Sequence, residues 1–536
     1  MILGEEAPIQ SNRLQRPLNS IKSSSPLPVG FKASQQGKSA VQTIEDAPLC
    51  RSLFAQIGNR HLIRQFGYVD GRWLNSDTQT NFAVTDPADG SWLGDVARLS
   101  ARQSAAAVDC ADRAFADWAA LLPQERAGFL MKWHDLILEN REDLAVIMTR
   151  EQGKPLSEAR GEIDYAASFI SFYAEEAKRP NIEGVTSHLA DAEMEVWREP
   201  VGVAALVTPW NFPSAMITRK AAAALAAGCT VLVHPSAETP FSALALGELA
   251  DQAGMPPGVF NIVTGAAAEI VTPWTEDPRV RALSFTGSTE VGRLLYRNSA
   301  DTIKRLVLEL GGHAPMLVFA DAELKRAVEQ AISAKFATSG QDCLAANRIF
   351  VERPVYDAFC DAFAERTAAL TTGRGLDDCD IGPMINERAV AKQEAHVLDA
   401  LARGAKLLTG GRRHPAGSLF FEPTVLADVP ADALIMREET FGPVAAVAAF
   451  DGEEEALRLA NETEYGLIAY LHTLDPRRIY RASRRLSYGM VAVNRTKVTG
   501  APIPFGGMKQ SGLGREGARF GMEAFMDVKY VCRDWA

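Results

Sequence analysis

Between residues 201 and 309 a short apolar run recurs, and each run but the last leads toward a helical stretch or a Gly/Ser turn. The runs are VAALV at 203–207, TVLV at 230–233, FNIV at 260–263, ALSF at 282–285 and VLE at 307–309. Helical patterns cover 212–227, with Pro213 in the first turn and Gly228 just past the end, then 240–253, stopped by Gly254, and 289–299. Strands this uniformly apolar have no wet face. Alternating with helices, they predict a parallel sheet covered on both sides, the doubly wound α/β class. Such sheets hold nucleotides beyond the carboxyl ends of their strands.

A second α/β run occupies 316–494, with strands at 316–319 and 348–351 and helices at 324–336 and 355–369. A chain of 536 residues is too long for one core, so this run reads as a second domain. Ahead of the first sheet, GYVDGRW at 67–73 turns at Asp70-Gly71 as a small hairpin. Two amphipathic helices follow over 104–140, divided at Pro123, and a third covers 156–178 and stops at Pro180. Residues 187–199 read as an extended segment outside the main pattern, suited to pairing with another subunit. A final strand is expected at 526–532.

The formal net charge of −11 argues against nucleic-acid binding, which wants basic stripes. No apolar run reaches membrane-spanning length; the longest, 221–233, is closed off by Lys220 and His234 and holds Gly228. The seven cysteines form no CxxC pair, which points to a reducing compartment without a disulfide framework. No paired Cys/His spacing or HExxH suggests a metal. Residues 1–45 are rich in Ser, Gln and Pro, and basic without acid between Ala7 and Ile44. They read as a disordered tail, with an organellar transit segment as the alternative and Glu5 and Glu6 counting against it.

Two stretches carry the chemistry. SGQDCLAANR at 339–348 presents Cys343 on a short polar turn, and LELGGHAP at 308–315 presents Glu309 at the end of an apolar strand. A thiol and a carboxylate brought together by the fold make a nucleophile and a general base. FTGSTEVG at 285–292 ends a strand, turns at Gly287 and opens a helix at Ser288, where free N–H groups suit a pyrophosphate. TPWNFP at 208–213 also ends a strand. Asn211 there either caps the next helix or donates its amide to a developing oxyanion. GLGREG at 512–517 matches GxGxxG literally. No strand leads into it and too little chain follows for a βαβ unit, so it reads as a tight loop near the active site.

Taken together, PWNFP (209–213), FTGS (285–288), ELGG (309–312), GQDC (340–343), EETFGP (438–443) and PFGG (504–507) resemble the aldehyde dehydrogenase superfamily, in order and spacing, from about Leu62 to the C-terminus. QGKP (152–155), ITRK (217–220) and KQSGLGREG (509–517) look most like its succinate-semialdehyde dehydrogenase branch. The resemblance implies a Rossmann-like cofactor domain (46–178 and 200–311), an α/β catalytic domain (312–511) and a small β oligomerisation extension (179–199 and 512–536). It implies an NAD- or NADP-dependent oxidation in which the Cys343 thiolate attacks the aldehyde. Asn211 and the Cys343 N–H hold the oxyanion, hydride leaves to the nicotinamide, and Glu309 activates water against the thioester. Thr208, Pro209, Trp210, Gly287, Ser288 and Leu310 would line the dinucleotide site. Glu439 would hold the nicotinamide ribose, with Phe441 near the ring. Lys220, His234, Ser236 and Ala237 would meet the adenosine half.

The departures are informative. His234 stands where the family usually has Lys, and Ala237 where NAD users often have Glu. The first change weakens NADP and the second favours it, so the nucleotide stays open; His234 could equally cap its strand. The branch usually carries Arg at the place of Ala337 for a distal carboxylate, and a second Cys at the place of Ala345. Arg179, Arg495 and Lys497 are the cations expected to take over, unless the two loop cations are simply solvated. The implied protein is a cytoplasmic homodimer or homotetramer with no nucleic-acid or membrane partner, or a matrix enzyme if the tail is a transit peptide. An aldehyde dehydrogenase for a neutral or longer aldehyde, a non-catalytic paralogue, a thiol esterase and a CoA-acylating enzyme are the rivals.

Overall fold

Val207 at the end of one strand pairs with Phe285 of the next strand in space and with His234 of another, so three loop mouths open at one sheet edge. The computed structural model describes Leu53, residues 55–179 and residues 181–534; the expected tail, 1–45, lies outside them. The eight-stranded sheet runs, in spatial order, Gly512–Leu513, Arg305–Glu309, Val280–Thr286, Val203–Val207, Thr230–His234, Phe260–Ile262, Gly67–Val69 and Arg72–Leu74. Its middle five strands are parallel, and the flanking pairings are antiparallel. The chain enters at Val203–Val207, winds outward to Phe260–Ile262, then returns to lay Val280–Thr286 on the other side of the first strand. That reversal makes a crevice beyond Val207 and Thr286, where a doubly wound sheet takes its ligand.

The Asp70-Gly71 hairpin forms as expected, both residues in the left-handed region, and extends this sheet. The helices over Ala101–Ala120, Pro123–Glu139 and Leu156–Glu176 match the periodic pattern. Two helices between residues 101 and 311 were not legible. Arg141–Gln152 is buried along its whole second half, including Arg150, Glu151 and Gln152, so it shows no apolar stripe. Ala267–Glu276 carries Pro273 inside, which reads as a breaker.

The seven-stranded sheet orders Lys406–Thr409, Thr424–Ala427, Val444–Phe450, Ala346–Glu352, Ala314–Val318, Ile468–His472 and Met490–Val493, parallel except for its first pair. A three-stranded antiparallel sheet joins Met526–Asp534, Ala192–Pro200 and Ile182–Val185. The C-terminal segment therefore divides later than expected. Gly512–Leu513 belongs to the large sheet, against Leu308 and Glu309, and only Met526–Asp534 joins the small one. The physical reason is Gly512, whose φ of 145° and missing side chain let the chain lie against the Leu308 carbonyl. No helix among the described residues is long and apolar enough to cross a membrane.

Candidate active site

Asn211 decides between its two readings through the helix that follows it. That helix, Ala215–Ala227, starts from Ser214, and Asn211 makes no capping bond to it. The orphan N–H groups of Ser214 and Ala215 instead donate to Glu162 at 3.0 and 3.2 Å. Glu162 is ion-paired with buried Lys154 at 2.6 Å, and Lys154 also donates to the Asn211 carbonyl at 2.7 Å. Asn211 is thus held from its backbone, buried, with its side-chain amide donating to the Gln341 carbonyl at 3.1 Å. The amide has a second N–H to offer beside Cys343.

Cys343 follows a distorted turn. Thr338, Ser339 and Gly340 all take positive φ, an unusual run that costs backbone energy and is held from outside. The Thr338 N–H donates to both oxygens of Glu158 at 3.0 and 2.9 Å. The two chemical stretches meet at Gly312. A methyl group there would overlap the Cys343 carbonyl oxygen, so only glycine lets the chains approach this closely. Burial, then the charges of Asp342 and Glu439, push the Cys343 thiol well above its usual range, against the opposing pull of Arg219.

Glu309 is 2% exposed, and neither carboxyl oxygen has a hydrogen-bond partner. Burial first, and the Glu516 charge second, raise it far above the ordinary carboxyl value; Arg219, Lys220 and Arg515 oppose. A methyl on Gly506 would stand 2.8 Å from a Glu309 oxygen, so the PFGG loop closes over this carboxyl. A buried, unpartnered carboxyl is costly unless it has work to do.

The cofactor-side cavity measures about 690 Å³ and is lined by Trp210, Gly287, Ser288, Leu310, Glu439 and Phe441, with Pro209, Asn211 and Cys343 also on its wall. Ser288 caps the helix Thr289–Asn298, its oxygen accepting from Val291 N–H at 3.3 Å. The positive end of that helix therefore faces the crevice. Glu439 accepts from Gly312 N–H at 2.8 Å and is raised to about 7 by burial. The Trp210 and Phe441 rings meet edge to face, 5.6 Å apart. A dinucleotide fits such a wall: a helix N-terminus for phosphates, a carboxylate for hydroxyls and flat apolar faces for rings.

Five of the residues expected at the dinucleotide site do not line this cavity: Thr208, Lys220, His234, Ser236 and Ala237. Lys220 does not reach the cavity. It lies buried under the sheet, donating to Ser284 at 3.1 Å, to Thr286 at 2.7 Å and to Glu516. The helix Ala215–Ala227 is buried on all sides, so a lysine on it must find its partner inside. His234 is buried at the end of its strand. Its Nδ1 stands 2.9 Å from the Val263 carbonyl, and burial lowers it, so it is neutral at pH 7. Ala237 is exposed, and the neighbouring Glu238, hydrogen-bonded by Ser236, is one of three acids on the cavity wall, with Glu438 and Glu439. Thr208 donates its N–H to the His234 carbonyl at 3.0 Å, closing the strand ends together.

A second cavity, about 480 Å³, lies on the other side of Cys343; its wall includes the flanking residues Asp342 and Leu344, together with Ala337, Phe212, Tyr470 and Lys497. Lys497 is on that wall. Arg495 is not; its guanidinium donates to the Lys497 carbonyl at 2.9 Å. Arg179 lines neither cavity and pairs with Glu176 at 2.5 Å. Sequence reasoning missed Arg219 and Glu516. They pair at 2.6 Å in the interior, and Arg219 is the cation that pulls on both Cys343 and Glu309. The signal was present in GLGREG: a charged pair inside a glycine-rich loop, whose Glu516 turns into the core.

Residues 73–531 match the model of the aldehyde dehydrogenase family. The chain belongs to the aldehyde dehydrogenase family. It is 53% identical over 482 residues to the non-phosphorylating aspartate-semialdehyde dehydrogenase of Halomonas elongata, covering 90% of this chain and 98% of the relative. It is 49% identical over 478 residues to the NADP+ succinate-semialdehyde dehydrogenase of Escherichia coli, covering 89% and 99%. The crystal structure of succinate-semialdehyde dehydrogenase from Burkholderia pseudomallei superposes with a TM-score of 0.88 at 50% identity, over 89% of this chain and 99% of that one. This aldehyde dehydrogenase is an NAD(P)-dependent oxidoreductase, and the expected α/β fold with its Rossmann-like sheet is the one observed.

Proposed function

We propose that this enzyme oxidises a carboxylate-bearing semialdehyde, with Cys343 as nucleophile, Asn211 as oxyanion donor and Glu309 as the base of the hydrolytic step. The observation that carries the reading is the position of Cys343, on the wall of one cavity while its neighbours line the other. A thiol at such a partition can meet an aldehyde entering from one side and a nucleotide from the other.

The raised thiol must lose its proton before attack, since only thiolate is nucleophilic. Sulfur then bonds the aldehyde carbon. The negative oxygen is met by the second N–H of Asn211 and the backbone N–H of Cys343, preorganised donors in a dry site. Bound NAD(P)+ supplies the hydride acceptor. Glu309 then takes a proton from water as that water attacks the Cys343 thioester and the thiolate leaves; Arg219, Lys220 and Arg515 favour the charged carboxylate that must be present before this step. For this cofactor, Trp210, Gly287, Ser288, Leu310, Glu439 and Phe441 are the holding residues. Glu238 and neutral His234 disfavour a 2′-phosphate and favour NAD+.

Lys497 is the cation that would draw a carboxylate into the second cavity. The relatives named for aspartate and succinate semialdehydes support an acidic aldehyde here. The exposed Val528 and Tyr530 on the edge strand Met526–Asp534 support pairing of subunits, read by light scattering as a dimer or tetramer. A cytoplasmic enzyme is the compartment this reading favours, checked by fractionation.

The deciding experiment measures NAD(P)H formation with succinate semialdehyde, glutarate semialdehyde and a neutral aldehyde of similar length. An acidic aldehyde should give the highest kcat/KM, and Cys343→Ala should be silent. A neutral aldehyde preferred over both acids would overturn the substrate reading.

A further inference from the structure

The second cavity carries more acid than a simple anionic substrate can use. Its charged lining is Lys154, Glu158, Glu162, Asp342 and Lys497. Lys154 and Glu162 cancel, paired at 2.6 Å and both buried. That leaves two carboxylates, Glu158 and Asp342, against the single cation Lys497. Glu158 accepts from Thr338 N–H, and Asp342 accepts from Leu344 N–H at 3.0 Å. Each keeps acceptor capacity, because a carboxylate has about four lone-pair sites. Neither is ion-paired among the described residues. At Ala337, on the same wall, the chain offers only a methyl group.

A semialdehyde bearing only a carboxylate would meet two like charges for one lysine. Desolvated carboxylates without an ion pair are costly, and burial holds both of these groups above their ordinary values, against the hydrogen bonds from Thr338 and Leu344 and the pull of Lys154. An ammonium group entering the cavity would relieve that cost, and the aromatic rings of Tyr165, Phe212 and Tyr470 on the wall would tolerate it. We propose that this cavity selects a zwitterionic semialdehyde, one that carries an ammonium group as well as a carboxylate, with Glu158 and Asp342 meeting the ammonium and Lys497 the carboxylate. The inference rests on the semialdehyde reading above and narrows it.

The test compares three four-carbon aldehydes on the purified full chain: 2-amino-4-oxobutanoate, 4-oxobutanoate and butanal, each with saturating nucleotide. The amino-bearing aldehyde should exceed 4-oxobutanoate in kcat/KM by about tenfold or more, the worth of one charge-assisted hydrogen bond. Asp342→Asn and Glu158→Gln should each erase most of that ratio while leaving the ratio of 4-oxobutanoate to butanal intact. Lys497→Ala should lower both carboxylate-bearing aldehydes relative to butanal. Glu158 also holds the Thr338 turn, so its variant could weaken all three substrates; Asp342→Asn is the independent check, and an unchanged amino preference in it overturns the proposal. Equal or better turnover of 4-oxobutanoate by the unmodified enzyme overturns the proposal alone. Butanal preferred over both acids overturns the semialdehyde reading with it.

Discussion

Gly312 lies so close to Cys343 that its missing side chain is what permits the contact: a methyl group would overlap the Cys343 carbonyl oxygen. Gly312 also donates its N–H to Glu439 at 2.8 Å. One glycine therefore fixes the Cys343 turn on one side and the Glu439 carboxylate on the other. Gly312→Ala must push one of these apart. We expect a stability loss of about 1–3 kcal/mol from overpacking and a drop in kcat of about a hundredfold from misplacement of the thiol. Thermal melts and steady-state rates read the two effects; full activity with a normal melt would refute the argument.

Glu309 should separate acylation from hydrolysis. Glu309→Gln keeps the shape and loses the base, so the first-turnover burst should persist while the steady-state rate falls by about 10²–10⁴. The sign of the pH dependence follows from the raised carboxyl. Its base form is scarce at the ordinary value of 4.5 and grows as pH rises through the raised one, so the hydrolytic rate should climb with pH. That limb should vanish in Glu309→Gln. A burst lost together with the steady state would assign Glu309 to the attack step instead.

Glu516 is buried with Arg219 at 2.6 Å and with Lys220, and burial pushing it up is outweighed by these two cations, which hold it below 4.5. Glu516→Gln would leave two cations buried without their partner, at a cost of about 3–5 kcal/mol in unfolding experiments. A depressed carboxyl contributes stability above its unfolded value and loses it as pH falls through its folded one. Stability of the unmodified enzyme should therefore decline below pH 4.5, and the variant should lack this component. Equal denaturation midpoints at neutral pH would show that the pair contributes nothing.

Glu238 on the cofactor-side wall should repel a 2′-phosphate, while His234, turned to the Val263 carbonyl, offers no charge to attract one. Glu238→Gln should raise kcat/KM for NADP+ by about fivefold, the scale of one surface Coulomb contact, and leave NAD+ nearly unchanged. A variant with the parent's NAD+/NADP+ ratio would place the adenosine ribose elsewhere.

The parallel sheet was legible because its strands, such as VAALV and TVLV, are apolar on both faces, a pattern that only a doubly covered sheet uses. The helix Arg141–Gln152 was not, since Arg150 and Glu151 are buried through partners far along the chain: Arg150 pairs with Asp86 at 2.6 Å, and Glu151 accepts from Phe241 and Ser242. Local pattern cannot show a polar group that is satisfied from a distance.

By itself, the sequence determined the sheet, the loop mouths at its strand ends and the thiol, carboxylate and amide they carry, because glycines, apolar runs and motif spacing act locally. The tertiary structure alone decided which charges meet. It turned Lys220 away from the larger cavity and onto Glu516, left Arg179 with Glu176, put Lys497 but not Arg495 on the wall of the second cavity, and set Glu158 and Asp342 there without an ion pair among the described residues. Charge pairing depends on distance and burial between segments hundreds of residues apart, as Lys220 and Glu516 are, and neither quantity is written in either segment.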